Sequence, residues 1–495
     1  MDPRRKLRRG IESTLSIVEL FPRRTLWGPS DWASLAPPRI GVIGRPNRIA
    51  LETMEQAATV FGLILLTLLV VLPLVRPQLS LVSWSLMFPL EQLLQGAYSW
   101  FVMNSLFVNA LIACSIGLAA LRMVAFGGVR LSSLGNFGTL SIVVIMLYAM
   151  VTILWSADQS LALEFLGNRG PYLLIAIFIA PLTVRDIRAL REVRWWILSL
   201  GCLLGIALYS AGTFRFYAAR MVVMLGGGVR GNPLAVAEFG GLMFVLGVMS
   251  RDARGLFPTI LRVGGGLLGA GLILSSGSRG QLIAAVFACA VCFPLAVPLR
   301  NPRMLLATAV GIPLFAGLIL LSLNLFVSSE NTSRWTSDSI IAGSEDRLSF
   351  ISRYFGIWIQ SPISWIFGLG TLSFGNIAGG MADFVENIAA EILFEEGVVM
   401  FALFTALWIV LVRRMSSDVT SSPADIVRRT SLLMCFALCL FFLAVALKSY
   451  CVWSAYPLWL WLGLSYKFLG DDQQGRGDSL GEVTAEYQEH KVVDA

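Results

Sequence analysis

One histidine, His490, is all the imidazole this chain carries, and it lies in a polar C-terminal stretch. A histidine-based active site or metal centre is thereby excluded. Charge is scarce as well: 14% of the 495 residues are Asp, Glu, Lys or Arg, where a soluble domain carries roughly 25%. Apolar residues fill the gap at 56%, which places the chain in lipid rather than in water. No Asp-x-Asp pair lies near an outer loop; Asp471 and Asp472 read as solvated charge in the C-terminal tail. A nucleotide-sugar donor is disfavoured on that ground, and no nucleic-acid partner or cofactor is expected. The seven cysteines all fall within or beside apolar segments and read as packing residues. Cys289 and Cys292 form a CxxC in mid-helix, with no histidine or second cysteine pair nearby to suggest a metal or redox role.

Apolar runs recur from Ala57 almost to the C-terminus, each long enough to cross a hydrocarbon core of about 30 Å. They predict an all-α polytopic membrane protein with about twelve spans, over 57–75, 101–121, 138–155, 171–184, 195–211, 233–250, 259–276, 281–299, 304–327, 387–412, 430–447 and 453–469. Leu79–Leu94 is also apolar and reads as an interfacial or re-entrant segment. Residues 1–56 form a basic tail with Arg4, Arg5, Lys6, Arg8 and Arg9 but no apolar stretch behind them, so they are not a signal peptide. They are expected to rest on anionic headgroups. Residues 470–495 form an acidic tail that reads as disordered.

With the N-terminus placed in the cytoplasm, 28 of the 38 Lys and Arg fall on the inner side and 10 outside. The bias follows the positive-inside rule and puts both termini in the cytoplasm. The outer ten are Arg76, Arg169, Arg215, Arg220, Arg230, Arg279, Arg334, Arg347, Arg353 and Lys448. Charges placed against the bias call for an anionic partner at the outer surface. Arg279 is the sharpest case, held in the tight turn Ser275-Ser276-Gly277-Ser278-Arg279-Gly280. Two outer loops have room for a site: Gly212–Asn232, with three arginines, and the periplasmic loop 328–386. Inside the second, residues 347–360 place Leu348, Ile351, Phe355 and Ile359 on one face of a helix, as a segment lying on the bilayer would.

Four stretches then follow in order. Leu154-Trp155-Ser156-Ala157-Asp158 closes the third span, and Arg230-Gly231-Asn232-Pro233 leads into a helix. Ser276-Gly277-Ser278-Arg279-Gly280 makes a turn. After the long loop come Gly368-Leu369-Gly370-Thr371-Leu372-Ser373-Phe374, Glu386-Asn387 and Phe394-Glu395-Glu396-Gly397. From about Gly138 to Leu411 this order resembles the O-antigen ligase and O-antigen polymerase family, which includes exopolysaccharide polymerases. The resemblance implies a bacterial inner-membrane glycosyltransferase without a metal. It would move a glycan from undecaprenyl diphosphate onto an acceptor hydroxyl at the outer face. A chain-length regulator or a flippase is the expected further partner. Where the family pattern has histidine, this chain has Glu386. The missing histidine favours the polymerase branch over transfer to a lipid A core.

A diphosphate leaving group is stabilised by fixed guanidinium forks. Arg279 and Arg230 are the candidates, with Arg215 or Arg220 as substitutes for Arg230; the sequence does not choose among those three. Asn232, Asn387 and Arg347 are expected to meet substrate. Glu386 is the candidate general base for the acceptor hydroxyl, or else an acid at a helix start. Glu238 lies about 9 Å into its span by the 1.5 Å rise and needs a partner there: an outer arginine, or a neighbouring helix. From another class, a lipid-linked oligosaccharide flippase or a secondary transporter also has about twelve helices, but it would show two similar halves. No internal repeat is visible.

Overall fold

The computed structural model describes residues 48–126, 129, 134–210, 214–217, 220–223, 231–251, 255–296, 337–377, 385–421 and 426–469. The long helices are α1 (Arg48–Val75), α2 (Ser80–Ala97), α3 (Ser105–Phe126), α4 (Phe137–Thr152), α5 (Gln159–Leu174) and α6 (Ile187–Ser210). After them come α7 (Pro233–Met249), α8 (Leu256–Ser275), α9 (Arg279–Ala296), α10 (Ser337–Trp358), α11 (Ile388–Glu395), α12 (Gly397–Ser421), α13 (Ile426–Ser449) and α14 (456–469). Past Leu174, α5 loosens into a π-helical stretch, Ile175–Ile179, before closing as Ala180–Thr183. A two-stranded antiparallel hairpin, β1 (Phe214–Tyr217) and β2 (Arg220–Val223), is the only β-structure among the described residues.

Nine of these helices are long and apolar enough to cross a membrane: α1, α3, α4, α5 with its extension, α6, α8, α9, α12 and α13. The chain is therefore an all-α, multi-pass membrane protein, and outward residues such as Leu63, Ile64, Leu121, Ile206 and Leu267 are exposed because lipid is their solvent. Within the bundle α13 is the most enclosed of the nine and α12 the least. Short polar side chains start several of the helices. Asn136 accepts from Thr139 N at 2.9 Å, Asp158 from Leu161 N at 3.0 Å and Asn232 from Leu234 N at 2.9 Å, with Pro233 in the first turn. α7 and α8 cross backbone to backbone, because any side chain at Gly240 or Gly269 would run into the partner helix's carbonyl at 2.7 or 2.4 Å.

Three further helices, α2, α7 and α14, pack among these nine, and α2 bears on the topology. Gly62 sits against Leu94, and Ser83 Oγ donates to Leu69 O at 2.6 Å, so α1 and α2 form an antiparallel hairpin turning at Pro77–Leu79. Ser115 Oγ donates to Val70 O at 2.5 Å and Arg122 to Leu74 O at 2.6 Å, so α3 runs parallel to α1. The expected interfacial segment is thus a helix packed along the length of α1, with Glu91, Gln92 and Gln95 diluting its apolar character. Arg76 consequently pairs with Glu192 at the start of α6, at the end opposite the one expected for it. Lys467 donates to Pro181 O at 2.9 Å at that same end. Among the described residues α1 therefore begins at one end of the bundle and α14 finishes at the other. The expected span 304–327 and both polar tails, 1–47 and 470–495, lie outside the described residues.

This arrangement predicts a labelling pattern. In a background without native cysteines, Glu55→Cys and Ser337→Cys should react with a membrane-impermeant maleimide from one side, and Ser417→Cys only from the other. Opposite sidedness for Glu55→Cys and Ser337→Cys would show that α2 does not cross from one side to the other.

The expected surface helix is α10, and its apolar residues divide between two faces. Tyr354 and Trp358 are buried with Phe374, Val385 and Phe394 in a small second core, which Ile351 joins. Leu348, Phe355 and Ile359 stay exposed, as a helix resting on lipid requires.

Candidate functional site

A cavity of about 590 Å³ opens at the end of the bundle where α1 begins and α7 starts. Its walls come from α2, α3, α5, α7, α14 and the 450–455 connection. Four rings make one side: Phe88 lies 5.5 Å from Tyr172 and 5.4 Å from Tyr456, Tyr172 and Tyr456 stack at 5.8 Å, and Trp84 meets Tyr456 edge-on at 5.8 Å. The cavity is also lined by carboxylates, amides and one guanidinium: Glu91, Glu164 and Glu238, Gln92, Gln95, Asn109 and Asn168, and Arg169.

These polar groups hold one another in place. Glu91 accepts from Gln95 Nε2 at 2.8 Å and from Asn109 Nδ2 at 3.0 Å, and Asn109 also donates to the Tyr172 hydroxyl at 2.9 Å. Tyr450 donates its hydroxyl to Glu238, which satisfies the acid that sequence left looking for a partner. Lys448, nearby, donates to Gln281 at 3.2 Å. Two acceptors in the wall have no partner among the described residues, Gln92 Oε1 and Asn109 Oδ1, and both are buried. Leaving such atoms bare costs about 1–3 kcal/mol each, so a ligand rich in hydroxyl groups would be welcome there. Among the described residues no group of three His, Cys, Asp or Glu side chains is placed to hold a metal ion.

Of the residues expected to form the site, Asn232 and Glu238 line the cavity. Arg279 is half-buried at the first position of α9. Arg215 and Arg220 lie on the hairpin, whose β2 packs against α2 and α7, two walls of the cavity. Arg347 is within α10, and Arg230 lies outside the described residues. Glu386 does not line the cavity; it is exposed, with backbone in the left-handed region at φ +54°. Its neighbour Asn387 caps α11, accepting from Ala389 N at 3.1 Å and Ala390 N at 3.0 Å, which accounts for it as a helix start. Sequence reasoning missed Glu91, Asn109, Tyr172 and Tyr456. The legible trace was the polar trio 91, 92 and 95 in an otherwise apolar helix.

The remaining motif residues form a separate knot. Ser156 Oγ donates to Thr371 O at 2.7 Å, and Ala157 N to Ser373 Oγ at 3.0 Å. Leu369 N donates to Phe394 O at 2.8 Å and Gly370 N to Glu395 O at 3.0 Å. The Glu395 carboxylate then accepts from Leu372 N at 2.6 Å, Phe374 N at 3.3 Å and the Tyr354 hydroxyl at 3.2 Å. Burial first, and then Glu395, hold the Tyr354 phenol well above its ordinary value, so it is protonated and donates. Glu396 takes the Thr371 hydroxyl at 3.1 Å, and Glu391 takes Val452 N at 3.1 Å. Of the three acids after Glu386, Glu391 and Glu395 thus fasten backbone and Glu396 holds a side-chain hydroxyl.

No protein-family model matches this chain, and no curated protein matches it either. The likeness to the O-antigen ligase and polymerase family rests on the motif residues alone.

Proposed function

We propose that this protein transfers a glycan from undecaprenyl diphosphate to a sugar hydroxyl, as a polymerase of O-antigen or exopolysaccharide repeat units, at the outer face of a bacterial inner membrane. The observation that carries the reading is the cavity itself. Stacked aromatic rings suit the apolar face of a sugar, and carboxylates and amides suit its hydroxyls. The order of the motif stretches supports it independently. The far end of the bundle bears Arg185, Arg188, Arg191 and Arg194 with Arg413, Arg414, Arg428 and Arg429, which favours that end as the cytoplasmic one.

In the reaction the acceptor oxygen bonds to the donor's anomeric carbon as the bond from that carbon to the diphosphate oxygen breaks. The electron pair leaves on the diphosphate, and the acceptor proton passes to a carboxylate. Arg169 in the cavity wall and Arg279 at its helix start supply positive charge for the leaving group, joined by one of Arg215, Arg220 and Arg230. For the base, Glu238 is preferred to Glu386, because Glu238 faces the cavity and has a hydroxyl to orient it.

The test is purified protein with undecaprenyl-diphosphate-linked glycan, followed by chain length. Growth of the lipid-linked chain supports a polymerase. Transfer to a lipid A core makes it a ligase, and movement across the bilayer without a new bond makes it a flippase. Arg279→Lys should lower turnover nearly as far as Arg279→Ala, since the planar fork is lost while the charge stays. Full turnover in the Lys variant would leave only a generic positive field.

A further inference from the structure

At the far end of the bundle a second, smaller cleft of about 190 Å³ lies between α7 and α8. The two helices are pinned just beside it, where a side chain at Gly247 would meet the Gly266 backbone at 2.7 Å. Two guanidinium groups share this cleft, from Arg251 just past α7 and from Arg262 on α8. Arg251 stacks over Phe293, 4.2 Å from the ring centroid. Burial, and after it the charge of Arg262, pull the Arg251 guanidinium below its ordinary value, which is where two like charges facing each other would leave it. Neither arginine forms an ion pair with a carboxylate among the described residues.

The other lining residues are apolar, and two of them, Val263 and Leu267, belong to the exposed outer strip of α8 that continues through Ile260 and Phe257. The cleft is thus cationic toward the end of the bundle and apolar along its lipid-facing side. A soluble anion would match only the first part. An amphiphile matches both, with its phosphate between the arginines and its chains along α8.

We infer that the Arg251 and Arg262 cleft binds an anionic phospholipid through its headgroup phosphate. The site stands apart from the cavity and does not depend on the proposed glycan transfer. The probe is phosphatidylglycerol against phosphatidylcholine, added to delipidated protein in detergent and counted by native mass spectrometry. Wild-type protein should retain phosphatidylglycerol preferentially, and Arg251→Gln/Arg262→Gln should weaken that retention roughly 30-fold, from about one headgroup contact per arginine. The matched control Arg413→Gln/Arg414→Gln, at the same end but outside the cleft, should change it much less. Removing two facing like charges should not unfold the bundle, and the comparison of the two lipids on wild-type protein needs no variant at all. Equal retention of both lipids, or an unchanged double variant, overturns the inference. Displacement of the lipid by free glycerol phosphate at millimolar concentration would assign the cleft to a soluble phosphate and overturn it equally.

Discussion

Glu238→Gln should reduce glycan transfer by roughly 100-fold or more while the protein still folds and still binds the lipid-linked donor. The residue follows the Asn232 cap on α7 by less than two turns, so its side chain meets the cavity from a rigid helix rather than from a loop. Tyr450 donates to the carboxylate from the connection after α13. Glutamine keeps the size and can still accept that hydrogen bond, so the loss isolates proton acceptance from packing. Tyr450→Phe should cost less, since it removes an orienting donor and leaves the acid. Glu386→Gln is the companion variant. With backbone at positive φ and an exposed side chain, Glu386 is expected to tolerate the change with turnover near wild type. Wild-type turnover in Glu238→Gln together with a collapse in Glu386→Gln would move the base out to the loop, where sequence first placed it.

Gly397→Ala has the larger expected effect on folding: it should abolish accumulation of monodisperse protein. Gly397 sits at φ +86°, and a Cβ there would lie 2.1 Å from Ile366 O; at Gly368, with φ +76°, the clash is with Glu395 O at 1.9 Å. Both contacts are with backbone, which cannot rotate aside as a side chain can. The knot they belong to ties the end of α4 to the start of α12 through the 368–374 segment, and each hydrogen bond to the buried Glu395 carboxyl contributes about 0.5–1.5 kcal/mol. Gly264→Ala is the control, since a Cβ there meets nothing within 4 Å. Size-exclusion profiles of fluorescent fusions would separate the two variants, and a monodisperse Gly397→Ala protein would show that the knot yields.

The residues most visible in sequence turn out to be largely architectural. Ser156, Gly368, Gly370, Asn387, Glu395 and Gly397 stand out because backbone conformation and close approach demand them, so their pattern was readable without knowing what they surround. The long apolar helices were legible for a similar reason, since lipid imposes both length and composition. The cavity was not. Its walls come from residues as far apart as Trp84 and Trp461, and no local period announces that helices distant in sequence will share one void. The helix α2 escaped for the opposite reason. The polar residues that make it useful to the cavity are those that made it look too wet for the bilayer interior.

The π-helical stretch Ile175–Ile179 has its own bearing on the cavity. A wider turn carries an extra residue and so changes the phase of everything on one side of it, by about 100° per residue. On the N-terminal side, Phe165, Asn168, Arg169 and Tyr172 line up toward the void. Ile175, Ala176 and Ile177 are buried within the stretch itself, and beyond it the chain continues into the packed Ala180–Thr183. The two halves of this helix therefore keep separate rotational settings, like two dials on one shaft. A change of one residue in chain length at the bulge, invisible to any measure of hydrophobicity, would turn the arginine and tyrosine away from the chamber while leaving the membrane anchor where it is.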